Sequence, residues 1–206
     1  MGVDMRFVRT SRNIAFTLAS FALLIPPWNA AAATQDGRFA VEGPGQAMCS
    51  RILQAKDRNT EEYARYIGFI EGYLSAANRY EPNTFDLTPW HTSQALSLIM
   101  VKHCESHPND LLGVVVQQLV VAMMPLRLAS YSSMERIEDG PNRAEVYEQI
   151  VKRSQEALAR RGLYAGPADG RFSPAMRDAL IEFQKTAQLD PTGVPDTATL
   201  WTLLNP

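Results

Sequence analysis

Two glycine turns near the C-terminus constrain this chain more than any other feature. The stretches Gly170-x-x-Ser173-Pro174-Ala175-Met176 and Gly193-x-x-Asp196-Thr197-Ala198-Thr199 repeat one pattern: a Gly turn, two residues, an N-cap and a helix. Ser173 and Asp196 each supply a side-chain oxygen for the orphan amides of a first helical turn. Pro174 stands at the first helical position, where a missing N–H costs nothing. Met176, Leu180, Phe183 and Ala187 then recur at helical spacing, and Leu200, Leu203 and Leu204 follow the second cap. Upstream, a helix with Ile150, Ala157 and Leu158 runs to Gly162, where a left-handed C-cap is wanted. Three short helices within residues 151–204 give a marginal core, the size of a small appended module.

The same stretch carries a longer string: Gln155 and Leu158, Leu163-Tyr164, Asp169-Gly170-Arg171-Phe172-Ser173-Pro174, Ala179, Phe183-Gln184, then Gly193, Asp196, Thr199 and Leu203. This string closely resembles the type 1 bacterial peptidoglycan-binding domain, a three-helix module attached to many cell-wall hydrolases. Two positions depart from the family pattern: Ser173 replaces a usual Gly, and Met176 a usual Thr. Both lie beside the loop where the resemblance implies that wall glycan or stem peptide docks. Tyr164, Asp169, Arg171, Arg177 and Trp201 are the polar and aromatic candidates for contact with the wall. The arginines suit stem-peptide or muramyl carboxylates, because a planar guanidinium donates in pairs. The competing role for Asp169 is to satisfy turn amides, and for Trp201 a place in the core. Phe172, Leu180 and Phe183 read as core, and Gln184 as a partner of loop backbone.

At the other end, Arg6, Arg9 and Arg12 precede an apolar run over residues 14–25, followed by Pro26-Pro27 and alanines at 30–33. A positive start, a short apolar segment and an Ala-x-Ala site predict a secretory signal peptide over residues 1–33. The run is short for a membrane span; an uncleaved anchor is the alternative. Cleavage removes Asp4 and the three arginines, so the formal net charge of −2 becomes −4. A mildly acidic chain offers no footprint for nucleic acid. The expected location is periplasmic or secreted, with no membrane span after cleavage.

Residues 34–45 are polar and turn-rich and read as a flexible lead-in. Residues 46–124 read as four helices. The first carries Met48, Cys49, Ile52 and Leu53. The second is capped by Thr60 and lines up Tyr63, Ile67, Ile70, Leu74 and Ala77. The third opens at Thr88-Pro89 and the fourth at Asn109, with Leu112, Val115, Val116, Leu119, Val120 and Met123 buried. Gly68 and Gly72 suggest close helix packing. Residues 125–142 read as a linker, and residues 143–206 as the second module, its first helix starting at Arg143. There Glu145 with Gln149 and Arg153, and Glu148 with Lys152, are spaced for exposed ion pairs or hydrogen bonds. The expected fold class is all-α: a disulfide-stapled four-helix domain followed by a small three-helix domain.

Cys49 and Cys104 are the only cysteines. An even count in an exported chain predicts a disulfide. The competing reading groups Cys104 with His103 and His107 as a metal or thiol site. Pro108 sets His107 at a helix end, no third ligand stands nearby, and a disulfide removes the thiolate that zinc needs. Cys49, Gly68-Phe69, Gly72, Thr88, Cys104 and His107-Pro108 are together similar to the small periplasmic helical proteins typified by HdeA chaperones and the Rap/Tai immunity proteins. That resemblance implies a non-catalytic, partner-binding fold.

A wall-binding module often accompanies a hydrolase, which needs a metal cluster, an activated thiol or an acid pair. Glu71 is the best lone acid, with a solvated or salt-bridged surface role as its alternative. No His-Glu-x-x-His or Gly-x-Ser-x-Gly motif occurs. The sequence therefore predicts a tether with no catalytic residue, no metal and no cofactor, whose partners are peptidoglycan and a periplasmic protein. A wall hydrolase with an unfamiliar catalytic domain, and a periplasmic chaperone or immunity protein, are the alternatives.

Overall fold

The computed structural model describes residue 34 and residues 38–58 and 61–205. The signal-peptide segment and the Thr60 cap lie outside these residues. Among the described residues the elements are a 3₁₀ turn at Gly43–Gln46, α1 (Cys49–Arg58), α2 (Glu61–Tyr80), α3 (Ser93–Ser106), α4 (Leu112–Met123), β1 (Met134–Asp139), β2 (Asn142–Tyr147), α5 (Glu148–Arg160), α6 (Pro174–Thr186) and α7 (Thr197–Leu204). The frame is helical as expected, with one two-stranded antiparallel sheet added.

Helices α1 to α4 enclose one apolar core built on Ile52, Ile70, Leu74, Met100, Leu112 and Val116. The disulfide Cys49–Cys104 lies fully inside it and joins the start of α1 to α3, with Cα atoms 4.8 Å apart. The α1 amides are satisfied by the loop before α4: Cys49 N–H donates to Asp110 O (2.8 Å) and Ser50 N–H to Pro108 O (2.9 Å). That loop is therefore extended beside Met48, and α4 begins at Leu112 rather than Asn109. Gly68 and Gly72 are exposed, and a Cβ on either meets open space. Close helix packing is not their role. The glycines that permit close approach are Gly45 and Gly113, both pressed against Val41. The end of the expected lead-in is thus packed against the helices.

Helix α3 does not open at Thr88-Pro89. Its N-cap is Thr92, whose hydroxyl accepts from Ala95 N–H at 3.2 Å. The chain turns first because Leu87 and Trp90 are buried, Trp90 in a second core. That core collects Ile150, Val151, Leu158, Met176, Leu180, Leu200 and Leu203 from α5, α6 and α7. Trp90 and Leu128 enter it from outside the three helices, and Leu126 touches both cores.

Residues 134–147 correct the expected linker and helix start. β1 and β2 form a hairpin around Gly140, at φ 60°, with Arg136 opposite Glu145 and Ile137 opposite Ala144. Ile137 and Val146 face the second core while Arg136, Glu138, Arg143 and Glu145 face outward, the alternation of a half-buried strand. Glu145 accordingly pairs across the strands with Arg136 at 2.8 Å, not along a helix with Arg153. Arg153 donates instead to the carbonyls of Leu126 and Arg127 beyond α4, and its burial lowers its pKa. A bridge between Asp86 and Leu128 completes the junction, so the chain from Phe39 onward is one compact unit.

Reduction of the disulfide, or its removal in a Cys49→Ala/Cys104→Ala variant, is expected to cost about 4 kcal/mol, because the bond closes 55 residues. The check is the unfolding free energy from urea titration, taken from midpoint and m-value together. A free energy unchanged by removal would show that the bond adds no constraint.

Candidate functional site

The repeated glycine turns share one physical device, a buried glutamine. Gln155 on α5 is fully buried; its Oε1 accepts from Gly170 N–H (2.8 Å), and its Nε2 donates to Asp169 Oδ1 (3.0 Å) and Arg171 O (2.9 Å). Gln184 on α6 repeats this: Oε1 accepts from Gly193 N–H (2.9 Å), and Nε2 donates to Thr192 Oγ1 (2.9 Å), Val194 O (3.0 Å) and Thr199 Oγ1 (2.8 Å). Both glycines are left-handed, at φ 80° and 70°. A Cβ at Gly170 would meet the Glu148 backbone oxygen at 2.9 Å. The caps follow as the sequence predicts. Ser173 Oγ accepts from Met176 N–H, and Asp196 Oδ1 from Thr199 N–H. At the end of α5, Gly162 N–H reaches Ala159 O and Leu163 N–H reaches Leu158 O, a Schellman closure.

This frame disperses the five candidate residues. Tyr164 is buried, its ring packed under Gly166 and its hydroxyl donating to Pro167 O at 3.1 Å. Asp169 is at the surface, yet Oδ1 accepts from Gln155 and from Arg171 N–H. The Arg171 amide first, then Gln155, lowers its pKa. Its bonds satisfy the turn. The Arg171 side chain is exposed beside it. Arg177 on α6 pairs with Asp178 (2.9 Å) and with Asp139 at the hairpin tip (3.6 Å); Asp178 first raises its pKa. Trp201 on α7 is 39% exposed and meets the His91 ring edge-on at 5.5 Å. The departures at Ser173 and Met176 have structural roles, one as the α6 cap and the other fully buried.

Residues 147–203 match the peptidoglycan binding domain family. No curated protein and no solved structure matches the chain. The matched segment holds α5, α6 and α7 with both glutamine-held turns. The hairpin, Trp90 and Leu128 that cover its core lie outside it.

Two of the cavities that border this module are lined by candidate residues. Asp169 and Gly170 line one of about 330 Å³ with Ser132, Ser133, Glu148 and Lys152. Its edge is held by Ser133 Oγ donating to Glu148 Oε2 (2.8 Å) and by Gln149 N–H donating to Ser132 Oγ (3.0 Å). Trp201 lines a second, a groove of about 550 Å³ shared with α3. The α3 residues of that groove escaped the sequence reading. Their signal is Leu98, a large apolar side chain off the buried stripe of Leu96, Met100 and Cys104 and 60% exposed.

The candidate acid and histidines of the first four helices have partners. Glu71 accepts from Ser93 Oγ across α2 and α3. His103 Nε2 lies 3.0 Å from Asp110 Oδ2 and stacks on His107 at 4.6 Å. Among the described residues no three His, Cys, Asp or Glu side chains converge as a metal site.

Two expectations follow. Gln184→Leu keeps the volume but strands the Gly193 amide and its neighbours, so it should lower stability by about 2 kcal/mol or more. Thermal unfolding measures this, and a wild-type Tm would refute the role. His91 is stacked on Trp90, and burial lowers its pKa from 6.5 against opposing pulls from Asp86 and the Thr88 backbone. A depressed folded pKa leaves its stability contribution complete above about pH 6.5 and loses it as pH falls through the folded value. Wild-type Tm should therefore drop more than that of His91→Phe between about pH 7.5 and 5; parallel curves would remove His91 from the account.

Proposed function

We propose that this chain is an exported, non-catalytic protein that holds peptidoglycan through its C-terminal module and presents its helical domain to a protein partner. The observation that carries the reading is the family match over residues 147–203, on a segment folded as three helices with both glycine turns intact. An extracytoplasmic location agrees with a wall-binding family and with the Cys49–Cys104 bond. The signal-peptide pattern of residues 1–33 supports periplasmic or secreted placement. No helix among the described residues is long and apolar enough to cross a membrane.

Support for a non-catalytic role comes from where the reactive groups are used. Both thiols are joined, Glu71 is engaged with Ser93, and His103 is turned to Asp110. Support for a protein partner is the exposed apolar trio of Met48, Leu111 and Val114, which the Met48–Leu111 bridge keeps together.

The test mixes purified protein, expressed from its full-length sequence, with isolated sacculi. Bound protein is pelleted and soluble muropeptides are assayed in the same tube. Co-sedimentation without release is the expected result. Released fragments would make it a hydrolase, and failure to sediment would remove wall binding.

A further inference from the structure

We infer that the groove between α3 and α7 is a binding site for the stem peptide of peptidoglycan, built jointly by the helical domain and the C-terminal module. This rests on the proposed wall binding and specifies where and what the protein grips. The groove is lined by Ala95, Leu98, Ile99 and Lys102 of α3 and by Ala198 and Trp201 of α7. Its volume, about 550 Å³, suits a short peptide segment rather than a single side chain. Helix α7 belongs to the matched segment, so the groove is continuous with the module assigned to the wall.

The lining chemistry selects the ligand. Leu98 and Trp201 leave large apolar surface open, and His91 against the Trp201 ring fixes one wall. The Thr92 hydroxyl at the groove mouth already accepts from Ala95 N–H as the α3 cap. Gln94 and Thr197 also line the groove, but its open face is mainly the apolar surface of Leu98, Ile99, Ala198 and Trp201, which offers no partner to the hydroxyls of a glycan. Stem peptides carry several alanine methyls together with free carboxylates, whereas bare glycan offers its muramyl carboxylate amid sugar hydroxyls. The methyls suit Ala95, Leu98 and Ala198. Lys102 is exposed, has no ion pair with a described residue and meets a carboxylate as a flexible point charge.

The experiment uses the full-length protein as purified, a synthetic stem pentapeptide ending in D-Ala-D-Ala, and glycan strands stripped of peptide by an amidase. Calorimetry gives affinities for wild type, Lys102→Glu, Lys102→Arg and Leu98→Gln, and sacculus co-sedimentation is run on each. Both positions are exposed, so circular dichroism should be unchanged. The pentapeptide should bind wild type and Lys102→Arg, and lose at least about tenfold in affinity with Lys102→Glu and with Leu98→Gln. Stripped glycan should not bind. Wild-type peptide affinity in both disruptive variants, or binding of stripped glycan in place of peptide, would overturn the groove. If sacculi still pellet those variants as they do wild type, the module binds elsewhere and the groove alone fails. If wild type does not pellet, wall binding and the groove fall together.

Discussion

The C-terminal fold depends on a side-chain amide buried where an apolar residue would ordinarily sit. Each glycine turn reverses the chain at the edge of a small core and leaves inward-facing backbone groups that no helix or strand satisfies. A Gln from the preceding helix reaches both kinds: its oxygen takes the glycine amide, and its nitrogen gives to a carbonyl one residue on. Because an amide carries donor and acceptor at a fixed separation, it specifies a turn of one shape. A carboxylate accepts only and a lysine donates only, so neither substitutes. The two turns carry α6 and α7 back onto α5, and the core of Ile150, Leu158, Met176 and Leu200 closes between them.

That core is too small to cover itself, and the rest of the chain supplies the cover. Trp90 arrives from the loop after α2, Leu128 from the segment after α4, and Ile137 and Val146 from the hairpin. Arg153 returns the connection by donating to two carbonyls beyond α4. Its guanidinium is half-buried and charged, so those carbonyls and the surrounding packing depend on each other. The exposed pairs Arg136–Glu145 and Arg177–Asp178 add little by comparison, since solvent screens them.

What the sequence disclosed was local, and what it concealed was tertiary. Ser173, Asp196, Gly162, Gly170 and Gly193 were legible because each acts within a few residues of itself. The cysteine pairing was legible because only one was possible. Thr88-Pro89 has the signature of a helix start, but burial of Trp90 moves the start to Thr92. β1 holds Glu135, Arg136, Glu138 and Asp139 around a lone buried Ile137, too weak an alternation to announce a strand. Among the site candidates, Tyr164 looks like a surface aromatic yet fills a turn, because Gly166 leaves room for its ring. The Trp201 groove was out of reach, since its two walls stand about a hundred positions apart in the chain.

The covering of the second core bears on how such a chain evolves by shuffling. The segment that the family shares ends at the start of α5, but the apolar surface of this copy extends to Trp90, contributed by a loop inside the neighbouring domain. Transplanting residues 147–203 alone would carry away the glutamine-held turns and leave behind their roof. The matched segment is thus not self-contained in this chain: residues far outside it close its core.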